Sequence, residues 1–231
     1  MLASTFLRVS SPLLLVTVAS AAFAVSLSDL TNREATGGLK AALEKGSTAA
    51  VSKLGVQNGF LNNEKVKIEL PGVLEQAKPL LKMTGQGKRL DELVLSMNRA
   101  AEAAVPMAKP LLIDAVKSMS VADAKNILAG GETSVTDFFR AKTAAPLAVK
   151  FLPIVKSVTD RSGLASKYNA TVAQVAALNI VPEQQSTVEG YVTHRALDGL
   201  FYMIGEEEKA IRRDPIGAGS KIIGKVFGSL N

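Results

Sequence analysis

The run EGYVTHRALDGLFYMIGEEEKAIRRDP, residues 189–215, places the tightest limit on the fold. Ser186 and Glu189 have the spacing of a capping box, which predicts a helix from here to about Arg213. At about 100° per residue, Val188, Val192, Ala196, Leu200, Met203, Ile204 and Ile211 gather on one side, and Leu197 and Phe201 widen the arc. His194, Asp198, Lys209 and Arg212 fall on the other side. An apolar arc this wide suits a central helix covered by several neighbours. Glu207 breaks the pattern: it projects into the middle of the arc, within helical reach of Leu200, Met203, Ile204 and Ile211. A carboxylate there needs an ion pair, hydrogen bonds or a proton.

The neighbours of that helix are readable as further helices. Thr31 and Glu34 form a capping-box pair, and Leu39, Ala42, Leu43, Gly46, Ala50 and Leu54 continue at helical spacing to a stop near Gly55. Leu74, Ala77, Leu80 and Leu81 form a short apolar face ended by Gly85 and Gly87. From Lys88 to Val105 the residues Leu90, Leu93, Val94, Met97, Ala100, Ala101, Ala104 and Val105 share one arc, with Asn98, Arg99 and Glu102 off it. Pro106 kinks that helix or opens the next one, whose face is Leu112, Ala115, Val116 and Met119. Ser120 caps a short helix through Ala129, closed by Gly130-Gly131. Thr133 to Lys142 reads as a short helix exposing Asp137 and Arg140. Thr143 then caps a following one, bent at Pro153. Leu164 to Leu178 is weakly amphipathic, Asn179 to Ser186 a polar loop, and Asp214-Pro215 open a final helix docked by Ile216, Ile223, Val226 and Phe227.

One stretch differs. Val66, Ile68 and Leu70 alternate with Lys65, Lys67 and Glu69 and end at Pro71, a strand pattern. No comparable run lies nearby to pair with it, so it reads as an extended connector after the Gly59–Asn63 turn. With no repeat, linker or composition break, the expectation is an all-α fold. It is a single multi-helix domain over 25–231, packed around a central C-terminal helix and carrying one short extended segment.

The first 24 residues read as a secretory signal peptide. Arg8 supplies the positive start, Leu13 to Ala22 the apolar core, and Ala22-Phe23-Ala24 the cleavage site before Val25. About 20 apolar residues are needed to cross a bilayer, more than this core holds. The expected location is therefore the periplasm, with no transmembrane span after signal removal. The sequence has no cysteine, which excludes lipid attachment at a lipobox, disulfides and thiol catalysis. Loss of Arg8 with the signal leaves 26 basic against 21 acidic residues. The excess is scattered in short clusters, so no nucleic-acid site is expected and only weak contact with an anionic membrane surface.

The stretches Asn62-Asn63, Met97 to Pro106, Gly130-Gly131 to Phe139-Arg140, Ala196 to Leu200, Glu206 to Glu208 and Ile211-Arg212 resemble domain of unknown function family 4197. The resemblance spans essentially the whole chain after the signal. It implies an exported, mostly helical protein of Gram-negative bacteria and no particular activity.

Chemistry is weighed on the residues themselves. His194 and Asp198 share a helix face, but two ligands make no zinc site, and no metal or cofactor is expected. No G-x-S-x-G elbow occurs, and Gly85-Gln86-Gly87-Lys88 lacks phosphate-loop spacing. What remains is a polar group on helices expected to pack together: Asn98, Arg99, Glu102, Arg140 and Glu207, with Arg99 or Arg140 as the expected partner of Glu207. The reading is a non-catalytic envelope protein binding a partner protein or a small ligand through these residues. The rivals are an envelope hydrolase (of murein or polysaccharide) using Glu207 with Glu102 or Asp198 as paired carboxylates, and an apolar-ligand carrier.

Overall fold

The structure is a computed structural model that describes residues 32–131, 133–161 and 187–214, with positions 165, 166, 169, 217, 221, 223 and 226. The expected signal segment, Thr31, the 179–186 loop and most of the weak helix over 164–178 lie outside the described residues. Among the described residues seven α-helices follow in order: α1 Asn32–Leu54, α2 Gly72–Met83, α3 Gly87–Ala104, α4 Ala108–Lys117, α5 Val121–Ala129, α6 Ser134–Thr159 and α7 Val188–Arg213. No strand occurs among the described residues, so the chain is all-α.

The C-terminal helix α7 is the hub. It packs against α6, α1 and α3, and Val188, Val192, Ala196, Leu200 and Phe201 on it are fully buried. The valines, Leu200 and Phe201 each contribute about 1.5–3 kcal/mol of transfer free energy. The helix starts one residue later than the capping-box reading. Thr187, not Ser186, is the N-cap, and its hydroxyl accepts from Gly190 N–H. Glu189 does not reach back to complete a box, because its carboxylate is engaged by the Asn169 amide at 2.9 and 3.1 Å.

The α3–α4 junction reconciles both readings of Pro106. α3 stops at Ala104, a 3₁₀ turn spans Val105–Met107, and α4 begins at Ala108. The short helix α5 is capped by Ser120 as expected, and Asp123 adds the reciprocal bond of a full capping box, with Gly130 following its end. Asp214 accepts from Gly217 N–H at 2.8 Å, as an N-cap residue does, and Ile223 and Val226 are buried.

One helix contradicts the expected break. Residues 134–159 form a single helix, α6, through Thr143, Pro146 and Pro153. Thr143 is not a cap: its hydroxyl donates to the Phe139 carbonyl at 2.6 Å and is buried. A threonine bonded to the carbonyl four residues back lies inside a helix. The buried series Phe139, Thr143, Leu147, Phe151 and Val155 is one unbroken face, and its packing outweighs the hydrogen bonds the two prolines remove.

The extended connector lies between α1 and α2. Val66, Ile68 and Leu70 are buried, while Lys65 and Glu69 are exposed. Its fully buried backbone at Ile68 has no neighbouring strand, which brings the polar residues of α3 into play.

Candidate functional site

Asn98 lies on α3 with no exposed surface. Its Oδ1 accepts from Ile68 N–H at 2.9 Å, and its Nδ2 donates to Ile68 O at 2.9 Å and to Val94 O at 2.8 Å. One turn on, Glu102 is 5% exposed. Its Oε1 accepts from Phe60 N–H and Leu61 N–H at 3.1 and 3.2 Å, and its Oε2 pairs with the Arg99 guanidinium. Arg99 also donates to Asn58 Oδ1 at 2.8 Å, and Asn58 sits at φ 69°, a left-handed turn that asparagine tolerates. Together the three residues fasten the 58–68 connector to α3. Their polar atoms are committed to the fold, because buried backbone N–H and C=O groups require partners. Off-arc residues therefore do not mean solvent here; they mean a buried irregular segment.

Most of the Glu207 side chain is covered, with 16% of it exposed, but its partner is Lys53 of α1, not Arg99 or Arg140. The reason is Gly46: a Cβ there would stand 3.4 Å from the Glu207 Cβ. The close approach of α1 sends the carboxylate along that helix to Lys53, whose side chain is 60% exposed. The deeply buried acid of the triplet is Glu208, 4% exposed. It accepts from Arg212 Nε at 2.8 Å, and Arg212 reaches the Ile127 carbonyl at 3.4 Å. Sequence reasoning passed over Glu208, although Arg212 four residues later carries the signal of a helical ion pair.

Arg140, the fifth expected site residue, lies elsewhere again. It projects from α6, pairs through Nη1 with Asp198 Oδ1 at 3.0 Å, and holds its Cζ 4.9 Å from the centroid of the buried Phe201 ring. A guanidinium over an aromatic face gains cation–π attraction and a fixed plane. Asp198 is shared: His194 Nε2 lies 3.3 Å and Arg195 Nη1 4.0 Å from its other oxygen. The expected surface contact of His194 with Asp198 is thus present, within a larger group.

Around Arg140 and Asp198 opens a cleft of about 430 Å³ between α6, α7 and the start of the connector. Its charged lining is Lys65, Arg140, Arg195 and Lys209 against Asp198 and Glu206. Thr136 and Tyr202 flank it, and Gly199 and Gly205 supply backbone surface. Those glycines are required by packing: a Cβ on Gly199 would fall 2.7 Å from a Phe60 ring carbon, and one on Gly205 2.9 Å from Thr136 Oγ1. The cleft wall is therefore held by direct contact between α7, α6 and the connector. Sequence reasoning found Arg140 but missed the cleft. Gly199 and Gly205, six apart on an otherwise good helix, were its only trace.

The five expected residues accordingly divide into three groups. Asn98, Arg99 and Glu102 meet at the connector, Arg140 stands in the cleft, and Glu207 sits against α1. Among the described residues no three His, Asp or Glu side chains group as a metal ion would need. No helix among them is long and apolar enough to cross a membrane.

A family model described as "Protein of unknown function (DUF4197)" matches residues 29–228. No curated protein matches the chain, and no solved structure does.

Proposed function

Because the chain belongs to DUF4197, a protein family of unknown function, we propose its role from the site: a non-catalytic periplasmic binding protein. In this reading the signal is cleaved after Ala24, and a small ligand enters the cleft beside Arg140. The observation that carries the reading is the cleft itself. Its 430 Å³ lies within the range of small-molecule sites, and convergent polar side chains line it.

What supports binding over hydrolysis is the way the acids are used. Paired-carboxylate chemistry needs two acids facing one bond, with environments that push their pKa values apart. Glu102 accepts from two backbone amides and Arg99, Glu207 pairs with Lys53, and Asp198 pairs with Arg140. Each carboxylate answers to a different cation. The interior cavity lined by Leu43, Gly46, Val135 and Ile204 holds about 10 Å³, room for about one water and too little for an apolar cargo.

Titration of isotope-labelled protein with fractionated periplasmic extract tests the reading. Movement of the Gly199 and Gly205 amide resonances is expected; their indifference to every fraction overturns it. Turnover of murein by wild type and its loss in Glu207→Gln would instead establish the hydrolase. Export is tested by intact mass of the protein recovered from periplasm, expected to begin at Val25.

A further inference from the structure

We infer that the cleft recognises an oxyanion, a carboxylate or phosphate group, and that Asp198 is the internal anion it displaces. This rests on the cleft being the binding site, and three further observations give it content.

The first is charge. Among the described residues four cations and two carboxylates line the cleft, so with Asp198 and Glu206 ionised these lining groups carry an excess of positive charge. Glu206 is already 3.3 Å from Lys209. Lys65, which is exposed and lines the cleft from the connector, forms no ion pair with any described residue. An anion entering there meets Lys65 from the connector and two arginines, Arg140 of α6 and Arg195 of α7, that share a single carboxylate.

The second is sharing. One carboxylate, Asp198, stands between Arg140, Arg195 and His194, at 3.0, 4.0 and 3.3 Å. A guanidinium has five N–H donors in a planar fork, and Arg140 spends one on Asp198 while its others bond no described residue. Among the described residues the donors of the cleft therefore outnumber the acceptors. An oxyanion is the ligand class that matches a guanidinium fork with two oxygens at once.

The third is preorganisation. Arg140 is held over Phe201, which is fully buried. Its orientation is set by the core and not by Asp198 alone. Removing Asp198 would leave the guanidinium in place with its charge exposed to the cleft. A neutral or cationic ligand gains nothing from that arrangement, whereas an anion exchanges one carboxylate for another at little cost in reorganisation.

Asp198 then lowers anion affinity, and this gives a prediction with an unusual sign. Labelled protein is titrated with inorganic phosphate, with citrate and with glucose at constant ionic strength, while Gly199 and Gly205 amide shifts are followed. Phosphate, citrate or both are expected to move them, and glucose is not. A response to citrate alone identifies carboxylate recognition, and one to phosphate alone identifies phosphate recognition. Asp198→Asn is expected to bind the anion more tightly, by about fivefold for one partly exposed pair. Arg140→Gln and Lys65→Glu should bind more weakly, and circular dichroism checks that each variant keeps its fold. Unchanged or weaker binding by a folded Asp198→Asn overturns the displacement. Shifts caused by glucose but by neither anion overturn oxyanion recognition while leaving the cleft as a binding site. Silence toward all three probes overturns the inference as well, and the extract titration then decides the cleft by itself.

Discussion

The side-chain amide of Asn98 does for Ile68 what an adjacent strand would do: it accepts from the N–H and donates to the carbonyl, both at 2.9 Å. Asn98→Ala strands two buried backbone groups, each costing about 1–3 kcal/mol, so a loss near 3 kcal/mol is expected in denaturant unfolding. Asn98→Asp should also destabilise, since a second oxygen would face the Ile68 carbonyl. A near-neutral result for both would mean that water replaces the amide. Gly199→Ala is expected to cost about 1–3 kcal/mol by overpacking against Phe60, read as a lowered Tm. That Asn98, Arg99 and Glu102 lie off the apolar arc of α3 is legible in the sequence; what they hold is not. Their partners Ile68, Asn58 and Phe60 lie 30, 41 and 42 residues upstream, in a segment without repeating hydrogen bonds. Nothing local distinguishes a polar residue waiting for a ligand from one clamping a distant backbone. Glu207 shows the same limit: its need for a partner is written in helical periodicity, but Lys53 is reached only because α1 packs there.

At the scale of elements, short-range rules succeed where partners are close in sequence. Ser120 starts α5 as expected, and its partner Asp123 is only three residues on: Asp123 N–H donates to Ser120 Oγ at 3.0 Å, and Ser120 N–H to Asp123 Oδ2 at 3.0 Å. Loss of the cap in Ser120→Ala should cost about 1 kcal/mol. The box also predicts a pH dependence. The Ser120 backbone N–H, and then its hydroxyl, hold the Asp123 carboxyl below its ordinary value of 3.8. A carboxyl whose folded pKa is depressed stabilises fully above the unfolded value and loses that contribution as pH falls through the folded one. The difference in Tm between wild type and Asp123→Asn should therefore be constant at neutral pH and shrink below about pH 4. A difference that does not vary with pH would show that the ionised form contributes nothing. The rules fail at α6, because two prolines and a threonine all carry the marks of a boundary. Only the long buried face from Val135 to Thr159, a tertiary property, carries the helix through them.

Across the whole molecule, buried side chains from Leu39 on α1 to Val226 form one hydrophobic cluster, which is why a helical hub near the C-terminus could be recognised from its wide apolar arc. Stability within that cluster is not uniform. α7 contributes five side chains with no exposed surface from Val188 to Phe201 alone. Of its described side chains α2 contributes the partly buried Leu74 and Leu81, leaves Leu80 64% and Met83 85% exposed, and contains Pro79. The missing N–H at Pro79 removes an intrahelical bond, and a 12-residue helix has little propensity to stand alone. Hydrogen exchange under native conditions should therefore find α2 opening by itself, well below the global unfolding free energy. The amides of α3, α6 and α7 should exchange only with global unfolding. The substitution Leu200→Ala separates the two events. It should lower global stability by about 2–5 kcal/mol and accelerate exchange in α3, α6 and α7 together, leaving the opening of α2 unchanged. If α2 instead slows or quickens in step with α7, its opening is coupled to the hub, and Leu74 and Leu81 bind it more firmly than their exposure implies.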